Sequence, residues 1–325
     1  MSDAPDPPLG GTTAPPPKDH FYGGQALIEG VMMRGREVWA VAVRKPEGDL
    51  HIESHRIDSV VARYPVLGKP FFRGVIVLGQ SLRIGFRALT ISARVSSPEE
   101  VQLSSTAMGV SMTLAIVLFL GLFIVFPAAL FGWVGDRVGE GIWTNVAEGV
   151  FRVLLFLGYL AAIGQTKDIR RVFQYHGAEH KTIAAYEHDE PLDPEHVDRY
   201  STLHVRCGTN FLLIVMVLTI LIFALFGSPA IHWRIGSRIV AIPLIAGFAY
   251  EMLRLGARFP NSLVMRALMK PGLWLQKITT RPPTTDQIEV AIASFDEVLR
   301  REAGGPAPVD GVPPGPAPVA PPEDG

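Results

Sequence analysis

Met108–Trp133 is an almost unbroken apolar run, and it limits the folds open to this chain more than any other feature. As a helix it is longer than the ~30 Å hydrocarbon layer of a bilayer, where a segment can satisfy its peptide groups only internally. Three further runs approach that length: Val146–Gln165, Phe211–Phe226 and Arg238–Leu255. Phe211–Phe226 reaches only about 24 Å as a helix, so a complete span has to begin near Cys207, with His204 just outside the membrane surface. The last two runs also suit helices buried in a soluble core. The expectation is a mainly α, polytopic membrane protein with about four transmembrane helices.

The distribution of Lys and Arg sets the orientation. Arg137 is the only such residue between the first two spans, and Arg234 stands between the last two. The loop between spans two and three holds Lys167, Arg170, Arg171, Lys181, Arg199 and Arg206. This loop and both termini are therefore expected in the cytoplasm, with the spans in the inner membrane. The tails, residues 1–20 and 303–325, are rich in Pro and read as disordered. The N-terminus lacks a basic region followed by an apolar core, so a cleaved secretory signal is not expected. A formal charge of −1 gives no argument for a nucleic-acid partner. The lone Cys207 excludes an internal disulfide and fits a reducing compartment.

Residues 21–70 read as an N-terminal cytoplasmic β-containing segment. Glu37–Lys45 and Leu50–Ile57 form a hairpin around Pro46-Glu47-Gly48-Asp49. Residues 71–95 follow as a basic amphipathic helix, with Arg73, Arg83, Arg87 and Arg94 in one arc of about 80°. Such a helix suits either the headgroup region of an anionic leaflet or the flank of the protein's own spans. Spans one and two fall in 108–165, the His-rich loop in 166–206, and spans three and four in 207–255. The C-terminal cytoplasmic segment, 256–302, contains a helix opened by the capping box of Thr284 and Gln287. Its apolar stripe is Ile288, Ala291, Ile292, Phe295, Val298 and Leu299. Asp193-Pro194-Glu195 marks another helix start.

The chemistry concentrates in His176-Gly177-Ala178-Glu179-His180. Residues four apart share a helix face, so both imidazoles can reach one ion while Glu179 points at the same volume. H-x-x-E-H is the zinc pattern of the inverted zincins. Lys167–Glu187 reads as one helix continuing out of the second span. His204 and Cys207, spaced H-x-x-C at the foot of the third span, can join the pair if the intervening segment folds back. His176, His180, His204 and Cys207 together would fill a tetrahedron and make a structural zinc site. Two His with Glu179 or Glu187 would leave a position open, the arrangement of hydrolytic sites. The sequence leaves both open, along with the plainer alternative of a polar helix that contains two His. Zinc is the preferred divalent ion because imidazole and thiolate suit it. His188 and His196 are expected at the surface.

Gly23–Gly35 is the other unusual stretch. Gln25, Glu29 and Arg34 put an amide, a carboxylate and a guanidinium into a mostly apolar, Gly-rich segment. Such groups need partners, so they bind each other or meet a ligand or metal. It is not a phosphate loop, because neither G-x-G-x-x-G nor a Gly-Lys-Ser/Thr ending is present. Arg152, Glu251 and Arg254 read as structural charges, with the two Arg near span ends and Glu251–Arg254 an i, i+3 pair.

Gly23–Gly35, Trp39–Arg44, Arg73-Gly74-Val75, His176–Lys181, Arg206–Thr209 and Pro271–Gln276 together resemble the bacterial YqhQ-like membrane protein family, over Phe21–Arg300. The resemblance implies a bacterial integral membrane protein and a predicted metal-dependent enzyme, with H-G-A-E-H-K as the hallmark. Val205 stands where that family's pattern leads us to expect Pro, which frees the backbone and leaves the chemistry untouched. The expected function is a metal-dependent, hydrolase-like enzyme acting on a membrane-proximal or lipid-linked substrate. Glu179 would be its ligand or base, and His176, His180, His204 and Cys207 its metal ligands. The alternative is a non-catalytic membrane scaffold with a structural metal or none.

Overall fold

Successive residues of an extended chain point to opposite faces, and the first part of this chain uses both faces. In the computed structural model, which describes residues 22–57, 64, 68–69, 72–97, 105–138, 141–204, 207–225, 231–259 and 262–305, four strands form an antiparallel sheet. They are β1 (Gly23–Leu27), β2 (Gly30–Arg34), β3 (Val38–Arg44) and β4 (Leu50–Arg56), paired in sequence order. Val31, Met33, Ala40 and Ala42 face one side, and Met32, Trp39, Val41 and Val43 the other. The hairpin around Gly48 stands as expected, with Gly48 at φ +102 and Lys45 N–H donating to the Asp49 carbonyl. The sequence pattern predicts only β3 and β4. In β1 and β2 the glycines interrupt the period-two signal. Gly30 is required there, because a Cβ would meet the Ala42 carbonyl at 2.5 Å. The tails read as disordered lie outside the described residues, apart from 303–305.

Helices cover both faces of the sheet. Helix α1 (Phe72–Val95) buries Ala88 and Ile91 against Trp39, Val41 and Val43. Toward its N-terminus, Arg73 donates to both carboxylate oxygens of Glu251, at 2.7 and 2.5 Å. The helix expected either at headgroup level or on the flank of the protein's own spans packs on the sheet and on the helix that carries Glu251, and leaves Arg83, Arg87 and Arg94 exposed. Glu251 takes Arg73 as its partner in place of the expected Arg254, which is exposed. Arg152 is held by Glu148 one turn away.

Helix α2 (Ser105–Leu120) passes through a π-helical turn at Gly121–Val125 into α3 (Phe126–Val138), and α4 (Ile142–Ile163) follows. Among the described residues, three helices are long and apolar enough to cross a membrane: Arg73–Val95, Gly109–Gly135 and Ile142–Ile163. Gly109–Gly135 has a mean hydropathy of 2.8 with only 6% of its apolar window buried, so its side chains suit acyl chains rather than a protein core. Arg73–Val95, expected from the sequence as a basic amphipathic helix rather than a span, qualifies with a mean hydropathy of 1.3. Helix α7 (Gly208–Leu225) is a shorter apolar helix, and α8 (Ile231–Arg258) carries Pro243 inside it.

Helix α5 (Lys167–Glu187) does not continue α4. The chain turns at Gly164–Thr166, where the Phe173 ring stands 2.9 Å from the place a Gly164 Cβ would take. The turn lets α5 pack on the sheet beside α10 (Thr285–Glu302) instead of extending into water. The capping box of Thr284 and Gln287 is present, and all six residues of the predicted stripe on α10 are buried. Tyr22, Tyr186 and Phe295 meet edge to face there, with ring centroids 4.9–5.3 Å apart. Each such pair adds about 0.5–1.5 kcal/mol beyond its buried area. Helix α6 (Pro194–Asp198) starts where expected, with the Asp193 carboxylate accepting the His196 N–H. Helix α9 (Leu263–Thr279), which the sequence reading left undivided from the C-terminal segment, packs on α7.

Gly177 permits the closest approach in this layer. A Cβ there would collide with the Arg281 carbonyl oxygen, which is backbone and cannot swing away. Gly177→Ala should therefore destabilise the protein by about 1–3 kcal/mol. Gly79→Ala, on an exposed part of α1 with open space around it, should be neutral or stabilising. Thermal unfolding in detergent reads both, and equal midpoints for the two variants would contradict the packing described.

Candidate metal centre

The two histidines of α5 are fixed by the same device. His176 Nδ1 lies 2.8 Å from the Thr279 carbonyl oxygen at the end of α9, and His180 Nδ1 lies 2.5 Å from that of Thr202. A ring nitrogen facing a carbonyl must carry the proton, so each Nε2 keeps a lone pair. The ring centroids are 4.4 Å apart, as residues four apart on one helix face require. His176 Nε2 is 3.2 Å from Cys207 Sγ. His180 Nε2 is buried and has no hydrogen-bond partner among the described residues.

Three donor atoms thus converge. Ligand atoms of His176, His180 and Cys207 all lie within 4.8 Å of one another, and His180 and Cys207 are buried. Atoms sharing one zinc ion at bonds of about 2.0–2.3 Å stand about 3–4 Å apart, so the set fits such an ion after small side-chain movements. Burial pushes the Cys207 thiol up, against hydrogen bonds from Thr209 and Asn210 that favour the thiolate. An ion would reverse that balance, because a coordinated thiol is deprotonated.

Glu179 and His204 occupy positions beside this set. The Glu179 carboxyl is buried between α5 and β1, where it accepts the Gly24 N–H. Burial raises its pKa to about 8; His176 works against the rise and Cys207 adds to it. A Cβ at Gly24 would meet the Met32 carbonyl oxygen at 2.6 Å and Glu179 Cγ and Cδ at 2.9 Å, so the glycine admits both the neighbouring strand and the carboxyl. The His204 ring lies 5.6 Å, centroid to centroid, from that of His180, but its Nε2 is turned to Glu187 Oε2 at 3.3 Å. Burial lowers the His204 pKa to about 4. His188 is exposed and His196 pairs with Asp193, both away from the three donors.

Gln276 was given no role by the sequence, yet it holds the loop that delivers Cys207. Fully buried on α9, it accepts the His204 N–H and donates to the His204 carbonyl, each at 2.8 Å, and it donates to Asn210 Oδ1 at 3.1 Å. Gly272 lies one turn earlier, where Asn210 leaves no room for a Cβ. The available signal was a lone amide in the Pro271–Gln276 stretch of an otherwise apolar helix face. The Gly23–Gly35 stretch also resolves: Gln25, Glu29 and Arg34 do not bind one another. Glu29, at φ +53, binds Arg171 and the Tyr175 hydroxyl, while Arg34 binds Ser81.

This arrangement can be set beside known proteins. Residues 69–301 match the family described as "Protein of unknown function (DUF1385)". The chain belongs to this family. It is also 34% identical over 296 residues to the "Uncharacterized protein YqhQ" of Bacillus subtilis (strain 168), covering 87% of this chain and 93% of that protein. No solved structure matches. The family match runs from just before α1 to the end of α10, so it contains His176, His180, Cys207 and Gln276 but stops short of the sheet.

Cys207 is 7% exposed in a loop held by Gln276. A maleimide should therefore modify it slowly in the folded protein and readily after denaturation. Gln276→Leu removes three hydrogen bonds at similar side-chain volume and should speed the reaction about tenfold or more. Equal rates in wild type and variant would show that Gln276 does not hold the loop.

Proposed function

We propose that this chain is a metal-dependent, hydrolase-like enzyme of the inner membrane whose centre faces the cytoplasm at the membrane surface. The observation that carries this is His180 Nε2, a buried lone pair with no protein partner, next to His176 Nε2 and Cys207 Sγ. Leaving such an atom unsatisfied costs about 1–3 kcal/mol, which a bound ion recovers. Zinc fits the two-imidazole, one-thiolate set best, and when bound it would supply Lewis-acid polarisation of a carbonyl or phosphoryl oxygen.

The protein's own groups do the remainder. Thr279 and Thr202 hold the imidazoles in one tautomer and orientation, as outer partners of metal ligands do. Glu179, buried and drawn to a pKa of about 8, is suited to exchange a proton near neutral pH as general acid or base. With His204 turned toward Glu187, three protein donors remain, a number that leaves a position for substrate. Positive loops on one side argue for about four spans with both termini in the cytoplasm. A centre at the foot of α7 then suits a membrane-proximal or lipid-linked substrate. The second reading is a non-catalytic scaffold with a structural ion, favoured by the proximity of His204 to His180.

Metal analysis of detergent-purified protein from zinc-replete cells should give one ion per chain, lost in His180→Ala. Cobalt substitution should produce a thiolate charge-transfer band that Cys207→Ser removes. His204→Ala should keep the ion at an open site and lose it at a closed one. With zinc-loaded protein in nanodiscs, hydrolysis of chromogenic carboxylate or phosphate esters should fall about 100-fold in Glu179→Gln. Wild type without stoichiometric metal would end the enzyme reading and leave a metal-free scaffold; full zinc with no ester hydrolysis would leave the scaffold with a structural ion.

A further inference from the structure

Away from the metal centre, Arg34 is the group least accounted for by its surroundings. It lies half-buried at the end of β2, on the sheet face that α1 covers. Among the described residues its side chain bonds only the Ser81 hydroxyl, from Nη1 at 2.5 Å. A guanidinium offers several N–H donors and stays charged, so most of its donors have no protein acceptor. Among the described residues no carboxylate is paired with it. Glu251, on the adjacent turn of α8, is occupied by both donors of Arg73. Burial pulls the Arg34 pKa below the usual guanidinium range, and only Tyr250 of α8 works against that pull.

Gln25 completes the arrangement. It pairs with Met32 across β1 and β2 while Arg34 pairs with Gly23, so Gln25 and Arg34 are diagonal neighbours on one face. The Gln25 amide lies against Gly85, where a Cβ would collide with Oε1, and it makes no hydrogen bond among the described residues. Ser81 and Gly85 are one turn apart on α1, so both polar side chains lie over the same stretch of that helix. A cation and an amide held side by side with spare donors are complementary to an oxyanion. Exposed Arg83 and Arg87 stand beside Leu82 and Phe86, which are 53% and 44% exposed. That mixture of basic and large apolar side chains suits the surface of an anionic leaflet.

We propose that Arg34, Gln25 and Ser81 form a receptor for a phosphate group, carried either by an anionic phospholipid headgroup or by a soluble phosphate ester. The receptor lies on the opposite face of the sheet from Glu179 and does not depend on an ion at Cys207.

The test uses the full chain. Native mass spectrometry of protein released from phosphatidylglycerol or phosphatidylcholine nanodiscs reads lipid retention, and calorimetry with inorganic phosphate and glycerol 3-phosphate reads the soluble source. Wild type should retain phosphatidylglycerol or bind a soluble phosphate, and Arg34→Gln should weaken that binding about tenfold or more. Gln25→Leu should weaken it in the same direction, and it carries the test if Arg34→Gln fails to fold. Arg83→Gln, which alters only the surrounding field, should change binding by less than about threefold at physiological salt. Retention of phosphatidylglycerol without binding of soluble phosphate identifies the headgroup, and the reverse identifies the ester. Absence of all phosphate binding in wild type overturns the proposal. So does binding by Gln25→Leu and every folded variant as tight as wild type.

Discussion

The two carbonyl oxygens that take the Nδ1 protons of His176 and His180 are the contacts on which this structure turns. Without them either ring could flip or change tautomer, and neither Nε2 would be bound to face Cys207. Both carbonyls come from elements distant in sequence: Thr279 ends α9, and Thr202 lies in the loop after α6. The centre can therefore form only when α5, α9 and that loop are all in place. Geometry of this kind is a consequence of the whole fold rather than of the H-x-x-E-H stretch.

Those elements come from two different environments. Helix α5 belongs to a layer built on the sheet and α10, with a core of aromatic and aliphatic side chains. Cys207 and Gln276 belong to α7 and α9, whose apolar neighbours form a separate cluster with α8. Gly177 lets the first layer close on the chain after α9, and Gln276 fastens the loop entering α7. The candidate metal centre sits on the seam between these parts. Its buried, unmatched nitrogen is tolerable there because both sides are rigidly hydrogen-bonded around it.

Much of this was legible in the sequence, for identifiable reasons. The stripe on α10 was readable because Ile288 to Leu299 recur at helical spacing and Thr284 with Gln287 fixes the start. The pairing of His176 with His180 was readable because four-residue spacing on a helix leaves little freedom, whereas the approach of Cys207 depended on a fold-back that the sequence allowed but did not require. The break at Gly164 was not readable, since the cause is a tertiary contact with Phe173. Strands β1 and β2 were hidden because their glycines serve close approach to β3 and to Glu179, which removes the side chains that would have shown the alternation. Partner choice was the least legible level. Glu251 had a plausible partner at Arg254, three residues away, but Arg73 from α1 offers a two-pronged bond that a local pair does not match.

The Gly23–Gly35 stretch illustrates why a local pattern can be unusual without being a self-contained motif. Pleating sends Gly24 to the face where Glu179 lies and Gln25 to the face where Arg34 and α1 lie. Glu29, in the turn between the two strands, reaches back to α5 through Arg171 and Tyr175. Each polar or glycine position thus answers to a different neighbour, and the strand ties α5 to α1 across the sheet edge. A segment under so many separate demands has little room for substitution, whether or not any one residue touches a ligand. The cluster of unusual residues in β1 and β2 follows from that position, between the candidate metal centre on one side and the Arg34 guanidinium on the other.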